Sequence, residues 1–193
     1  MSVVALRKPS SAVSEMSDEA LARACGSGDA AAIGLLFDRF HPRIARYLGR
    51  LVSHDEVEDL LQQTFLQVAR SKSTYDGRAA VSTWLMAIAT NVVRHHRRTM
   101  GRRRKLESAL AREHDDAYQD VARDVDSKRK LVAAKRALMG LSPALREAFV
   151  LCELEGCSAR EAGEILGASE AAVWKRVSKA RKAIRHEVLG GGR

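Results

Sequence analysis

The sequence predicts an all-α protein of two small helical domains, a helical bundle and a helix-turn-helix domain, joined by a flexible acidic linker. Three observations carry that expectation. Only three prolines interrupt 193 residues, so long helices are permitted. Aromatic residues make up 5% against 46% hydrophobic residues in all, which points to an aliphatic core of packed helices rather than a β-sandwich. Charge is also segregated along the chain. Residues 94–105, from Arg94 through Arg97, Arg98, Arg102, Arg103 and Arg104 to Lys105, contain no acid, whereas Glu107 to Asp126 is predominantly acidic.

The overall balance, Lys+Arg 33 against Asp+Glu 24 for a net +9, favours a polyanionic partner, with nucleic acid ahead of a membrane surface. No apolar run approaches the roughly 20 residues that span a bilayer, and the N-terminus lacks the continuous apolar stretch of a signal peptide. The cysteines Cys25, Cys152 and Cys157 are odd in number and irregular in spacing, which suits buried thiols in a reducing compartment. A cytoplasmic protein is expected, with no membrane partner.

The Ser-rich residues 1–16 read as a disordered extension. The first domain is expected over 17–105. Ser17 and Asp18 open a short helix that stops near Gly26, Ser27, Gly28 and Asp29. From Ala30 to Phe40, the residues Ile33, Leu36, Phe37 and Phe40 recur at helical spacing, and Pro42 marks a break or the first turn of a next helix, Arg43 to Val52. Asp55 to Arg70 carries Val57, Leu60, Leu61, Phe65 and Val68 on one face and acids and amides on the other. After a turn at Tyr75, Asp76, Gly77 and Arg78, a helix from Ser82 to Arg98 is expected to turn Leu85, Ile88, Ala89 and Val92 inward and to continue into the basic run.

Residues 106–127, poor in apolar periodicity, read as the linker, and 128–189 as the second domain, followed by a disordered Gly-rich tail, 190–193. In the second domain Ser142 and Pro143 are an N-cap and first-turn proline for a helix reaching about Glu155, closed by Gly156. Ser158, Ala159, Arg160 and Glu161 spell a capping box for a short helix to Leu166. Gly167 supplies a left-handed stop and Ser169 caps a longer helix. Two helices joined by a short glycine-containing turn are a helix-turn-helix. Val173, Val177, Ala180 and Ile184 would face the core and Trp174, Lys175, Ser178, Lys179 and Lys182 the outside.

An outward face bearing Lys175, Arg176, Lys179, Arg181, Lys182 and Arg185 has what a recognition helix needs in the major groove: cations for phosphates, and side chains near the helix N-terminus for base edges. A solvated basic helix is the plainer alternative. Tyr75, Trp84 and Asn91 beside the cations Arg94 and Arg98 suit unstacked single-stranded bases, which stack on rings and offer free Watson–Crick edges. A core indole and a surface amide would fit the same pattern.

Three blocks, in order and at matching spacing, bear a family resemblance. Glu58, Asp59, Leu60, Leu61, Gln62, Gln63, Thr64 and Phe65 form the first. Ser82, Thr83, Trp84 and Leu85 with Ile88, Ala89, Thr90 and Asn91 form the second, and the helix-turn-helix after Leu141, Ser142 and Pro143 the third. Over about residues 20–188 the chain resembles bacterial sigma factors of the sigma-70 family, and in its compact length the extracytoplasmic-function (ECF) group, which keeps the second and fourth conserved regions.

The resemblance implies a sigma factor that binds core RNA polymerase through the β′ clamp helices and the β flap, and directs initiation at specific promoters, under control of an anti-sigma factor. It implies polymerase docking by Asp55, Glu58, Asp59, Gln62 and Gln63. It implies minus-ten element recognition by Tyr75, Gly77, Arg78, Ala80, Trp84, Asn91, Arg94 and Arg98, with a flipped base captured by the 75–81 loop and Asn91. It implies minus-thirty-five recognition by Ser169, Trp174, Lys175, Arg176, Ser178, Lys179 and Lys182. Two positions depart from the family pattern: Gln63 stands where Glu is usual, and Trp174 where a cation is frequent.

A stand-alone helix-turn-helix regulator would explain the second domain but leaves the acidic face of residues 55–67 and the basic run without a role. An enzyme such as a nuclease would need clustered carboxylates or His ligands. The six histidines are scattered, and adjacent His95 and His96 cannot point at one metal from a helix. Cys152 and Cys157, five apart, would lie about 140° from each other around a helix, which does not suit zinc. No catalysis, cofactor or metal is expected.

Overall fold

The computed structural model describes residues 16–70, 75–108 and 127–190. The N-terminal extension, most of the acidic linker and most of the C-terminal tail lie outside them. Helices α1 (Asp18–Gly26), α2 (Ala30–Leu48), α3 (Val57–Arg70), α4 (Val81–Ser108), α5 (Ser127–Gly140), α6 (Pro143–Phe149), α7 (Ala159–Leu166) and α8 (Glu170–Gly190) follow in order, with a 3-10 turn at His54–Glu56. Among the described residues there is no strand, and no helix is long and apolar enough to cross a membrane. The chain divides into two units: residues 1–49 with 53–92, and residues 50–52 with 93–193, so that α4 contributes to both.

In the first unit each helix start has a local cause. The Ser17 hydroxyl accepts from Ala20 N at 3.2 Å, and the Asp29 carboxylate accepts from Ala31 N at 2.9 Å and Ala32 N at 3.3 Å, filling orphan donors of α1 and α2. Gly28, at φ +81°, turns the chain between them. The core of α1–α4 is Leu21, Leu36, Ile44, Tyr47, Leu48, Leu60, Leu85 and Met86, all buried.

Two expectations for this unit are corrected. Pro42 neither breaks the helix nor starts a new one, because α2 runs through it as one 19-residue helix. Pro42 and Asp38, whose carbonyl loses its i+4 donor, are both on the exposed side, so water can serve that carbonyl while Leu36, Phe40, Ile44 and Leu48 stay buried on the other. The inward face of α4 is also turned from the one expected. Met86, Thr90 and Val93 are buried with Leu85 and Ala89, and Ile88 and Val92 are only half-buried. Thr90 is accommodated because its hydroxyl donates to Met86 O at 2.7 Å and pairs with the Tyr47 hydroxyl at 2.7 Å.

In the second unit α8 packs against α5, α6 and α7. Its core includes Leu141, Ala148, Val150, Leu151, Val173, Val177 and Ala180. Ser142 takes the N-cap backbone position, and its carbonyl accepts from Leu145 N and Arg146 N at 3.0 Å, but its hydroxyl makes no capping bond. The expected continuation of α6 to Glu155 widens into a π-helical stretch at Val150–Leu154, which ends before Gly156 at φ +75°. Arg146 donates to the carbonyls of Leu51 at 2.7 Å, Leu141 at 3.1 Å and Met139, closing the end of α5. Burial, then the nearby Arg97 charge, pulls its guanidinium down to about 10.

The helix-turn-helix is built as its capping residues predict. Ser158 Oγ accepts from Glu161 N at 3.2 Å while Glu161 Oε2 accepts from Ser158 N at 2.8 Å, a reciprocal capping box. Those bonds hold the Glu161 carboxyl below the usual carboxylate range. Gly167 is left-handed at φ +61°, and Ser169 Oγ accepts from Ala172 N at 3.3 Å to start α8. Gly163 went unremarked in the sequence, yet a Cβ there would stand 2.6 Å from the Ala168 carbonyl oxygen of the turn. Gly163→Ala is therefore expected to destabilise the second unit by about 1–3 kcal/mol through overpacking. Urea unfolding measures this, and a variant as stable as the parent would show that the turn has room to move.

Candidate nucleic-acid interface

An exposed basic surface lies on α8. Val173, Val177 and Ala180 are fully buried and Ile184 half-buried, which directs the opposite face outward. Ser169, Trp174, Lys175, Ser178, Lys179 and Lys182 are exposed and Arg176 is half-buried. Among the described residues, Lys175, Arg176, Lys179 and Lys182 have no ion-pair partner, whereas Arg181 is held by Glu153 at 2.6 Å. These four cations therefore stay free on the surface, while Arg181 is engaged by Glu153. This arrangement can neutralise phosphates with the lysines while Trp174 and Ser178, beside them on the helix, stay open to other contacts.

In the first unit, the 75–80 loop and the start of α4 form a second surface. Tyr75 is buried and its hydroxyl donates to Ala79 O, so its ring supports the loop from within. Burial pushes its phenol pKa up. Asp76 Oδ1 accepts from Arg78 N at 3.0 Å, and Gly77 at φ +79° completes the turn beside Arg23. Arg78 and Ala80 are exposed. Trp84 is half-buried, with its ring 5.5 Å from that of Tyr75, and Asn91 is exposed two turns further along α4. The structure thus places Trp84 in part against the loop and leaves the Asn91 amide open.

Arg94 and Arg98, grouped with these residues in the sequence, have different environments. In the second unit Arg94 bonds the buried Glu147, Nη2 to Oε2 at 2.9 Å, and Leu166 O at 3.2 Å, while Arg98 is exposed. Arg97 bonds the other oxygen of Glu147 at 2.8 Å and also Leu51 O at 2.6 Å. Sequence reasoning missed Glu147, since an acid in an amphipathic helix gives no sign that it will be buried.

The acidic face is on α3 and the turn before it. Asp55, Glu58, Asp59, Gln62 and Gln63 are all exposed, as the periodicity requires with Leu60, Leu61, Thr64, Phe65 and Val68 buried. Gln62 donates to Glu58 at 3.3 Å and Gln63 to Asp59 at 2.7 Å, so each amide covers an acid one turn earlier. The Ser53 side chain and the backbone hold the Asp55 carboxyl below its usual range. Leu66, 50% exposed, extends this face with an apolar side chain that sequence reasoning passed over. Its position, three and four residues beyond Gln63 and Gln62, was the available signal.

Elsewhere the cysteines are free thiols, and burial pushes that of Cys25 up to about 11. Among the described residues no three His, Cys, Asp or Glu side chains are grouped to hold a metal.

These surfaces sit in matched sequence regions. Residues 36–105 match the family model described as sigma-70 region 2, and residues 131–184 that of sigma-70 region 4. The chain is 30% identical over 184 residues to an ECF RNA polymerase sigma-E factor of Haemophilus influenzae, covering 90% of this chain and 96% of the relative. The chain belongs to the sigma-70 family, in its ECF group. This sigma factor is also 35% identical over 156 residues to the RNA polymerase sigma factor CarQ of Myxococcus xanthus, covering 80% and 87% of the two chains. Among solved structures it is similar to the sigma factor RpoE of Bartonella quintana, crystallised with the anti-sigma factor NepR. The TM-score is 0.64 and the identity 26%, with 81% of this chain and 96% of that one covered. The all-α expectation and the family reading therefore stand.

Proposed function

We propose that this sigma factor divides its work among three surfaces. The acidic face of Asp55, Glu58, Asp59, Gln62 and Gln63 docks on the β′ clamp helices of core RNA polymerase, and the second domain meets the β flap. The loop at Tyr75, Gly77, Arg78 and Ala80, with Trp84, Asn91 and Arg98, takes the melted minus-ten strand, and the buried Tyr75 ring supports that loop. The α8 face of Ser169, Trp174, Lys175, Arg176, Ser178, Lys179 and Lys182 reads the minus-thirty-five duplex. Domains over 17–105 and 128–189, joined by the 106–127 linker, would carry these roles.

The observation that carries this reading is the α8 face, whose cations stand free of acids at the N-terminal half of a properly capped second helix. Duplex is read by a helix in a groove, while melted strand needs stacking and a pocket, which fits the split between the two surfaces. The chain acts by binding in the cytoplasm and carries no catalysis of its own. An anti-sigma factor holds it inactive, as the complex of its Bartonella relative suggests for this chain. A stand-alone regulator would leave the exposed acidic face of α3 without purpose.

Two variants test the division. Asp59→Lys reverses a charge on the docking face, and retention on immobilised core polymerase is expected to fall at least tenfold; full retention would remove the face from the interface. Asn91→Ala is expected to leave duplex affinity near the parent value and to weaken permanganate reactivity of the melted region. An unchanged footprint would show that the amide captures no base.

A further inference from the structure

Trp174 is the one large apolar side chain of α8 that stands in water among the described residues, 52% exposed. It is the fifth residue of the helix, within the N-terminal part that reaches base edges when such a helix enters a groove. On the same face Ala171 at i−3 and Ser178 at i+4 are exposed and too small to cover an indole, and the exposed Glu170 at i−4 is one turn toward the helix start. No described ring stacks on it. Lys175 and Lys179, at i+1 and i+5, stand together on one side of it, exposed and without acid partners. An apolar protein partner would have to bury those ammonium groups unpaired, at a cost that DNA phosphates avoid.

Chemistry narrows what Trp174 can read on DNA. An indole carries no charge, so it does not neutralise a phosphate, and it has one donor and no acceptor, so it cannot make the paired hydrogen bonds that distinguish guanine or adenine. Its broad surface is hydrocarbon, and the apolar group displayed in the major groove is the 5-methyl of thymine. We propose that Trp174 is a specificity-determining residue that selects a thymine in the minus-thirty-five duplex by packing against its 5-methyl group. This rests on α8 being the recognition helix. It adds the base and the atom that one position selects.

The test uses the full chain reconstituted with core polymerase. Promoters are first selected from a library of duplexes randomised over the upstream element, and each thymine of the best is then replaced by deoxyuridine, which removes only the methyl. At one thymine the parent holoenzyme is expected to bind about fourfold more weakly, the value of one buried methyl-sized group. Trp174→Ala is expected to bind both duplexes alike, and Trp174→Arg to regain affinity without regaining the methyl preference. Lys175→Ala is expected to bind more weakly throughout and keep the preference.

A flat uracil scan for the parent, or an undiminished methyl preference in Trp174→Ala, overturns the proposal. If the scan is flat while Lys175→Ala still weakens binding, α8 remains the recognition helix and only the thymine reading fails. If Lys175→Ala and Lys179→Ala also leave affinity unchanged, the recognition helix itself is misassigned and the thymine reading falls with it.

Discussion

Replacing Glu147 by alanine is expected to lower the stability of the second unit by about 3–5 kcal/mol, the usual cost of removing one partner from a buried ion pair. The carboxylate is 2% exposed and both its oxygens are occupied. Oε2 accepts from Arg94 at 3.0 and 2.9 Å, and Oε1 from Arg97 at 2.8 Å. Removing it leaves two guanidinium groups in a half-buried setting beside Arg146, a third cation already depressed by burial. The same arginines also hold the carbonyls of Leu166 and Leu51, so losing their anchor loosens the end of α7 as well. Glu153→Ala is the matched control. Its bond to Arg181 is more exposed, and its loss is expected to cost under about 1 kcal/mol. Urea midpoints of the two variants measure the difference; equal midpoints would mean that Glu147 is solvated in the folded protein.

The second large effect is functional. Lys175→Ala and Lys179→Ala together are expected to weaken minus-thirty-five recognition by about 2–6 kcal/mol, at roughly 1–3 kcal/mol for each lysine that bonds a base edge. Both side chains are exposed and free of acid partners, so their removal from the free protein leaves nothing buried and unpaired. The loss should therefore appear in promoter binding and not in folding. If either lysine meets phosphate instead of a base, the loss is uniform across sequences and the salt dependence of binding becomes shallower. Electrophoretic mobility shifts of the holoenzyme at several salt concentrations separate these cases. Parent affinity in the double variant would exclude this face of α8 from the duplex.

Much of the helix-turn-helix was legible because its determinants are local. A capping box at Ser158 and Glu161, a left-handed glycine at 167 and a capping serine at 169 each act within four residues, and the structure contains all of those bonds. The outward face of α8 followed from the buried spacing of Val173, Val177 and Ala180. What local reading missed was decided by tertiary packing. Pro42 passes through α2 with both it and Asp38 on the exposed side of the helix, where water can reach the carbonyl that loses its donor. Thr90 turns α4 inward because Tyr47, 43 residues away, offers its hydroxyl a partner. Glu147 is buried because two arginines from a distant stretch of sequence meet it, and Gly163 is needed because the Ala168 carbonyl closes onto it. At the candidate site, residue types and faces were readable, but not which aromatic would be buried: Tyr75 is inside and Trp84 half-covered. Leu66 shares the spacing of Gln62 and Gln63, but an apolar side chain on an otherwise polar face does not announce its exposure.

This chain gives core RNA polymerase its promoter choice. Run-off transcription with purified core polymerase over a genomic promoter library, with and without the full chain, tests it directly. Discrete promoter-initiated transcripts are expected only when the chain is present, lost together with binding in the Lys175 and Lys179 double variant. Transcripts unchanged by the chain, alongside tight sequence-specific duplex binding by the chain alone, would contradict it.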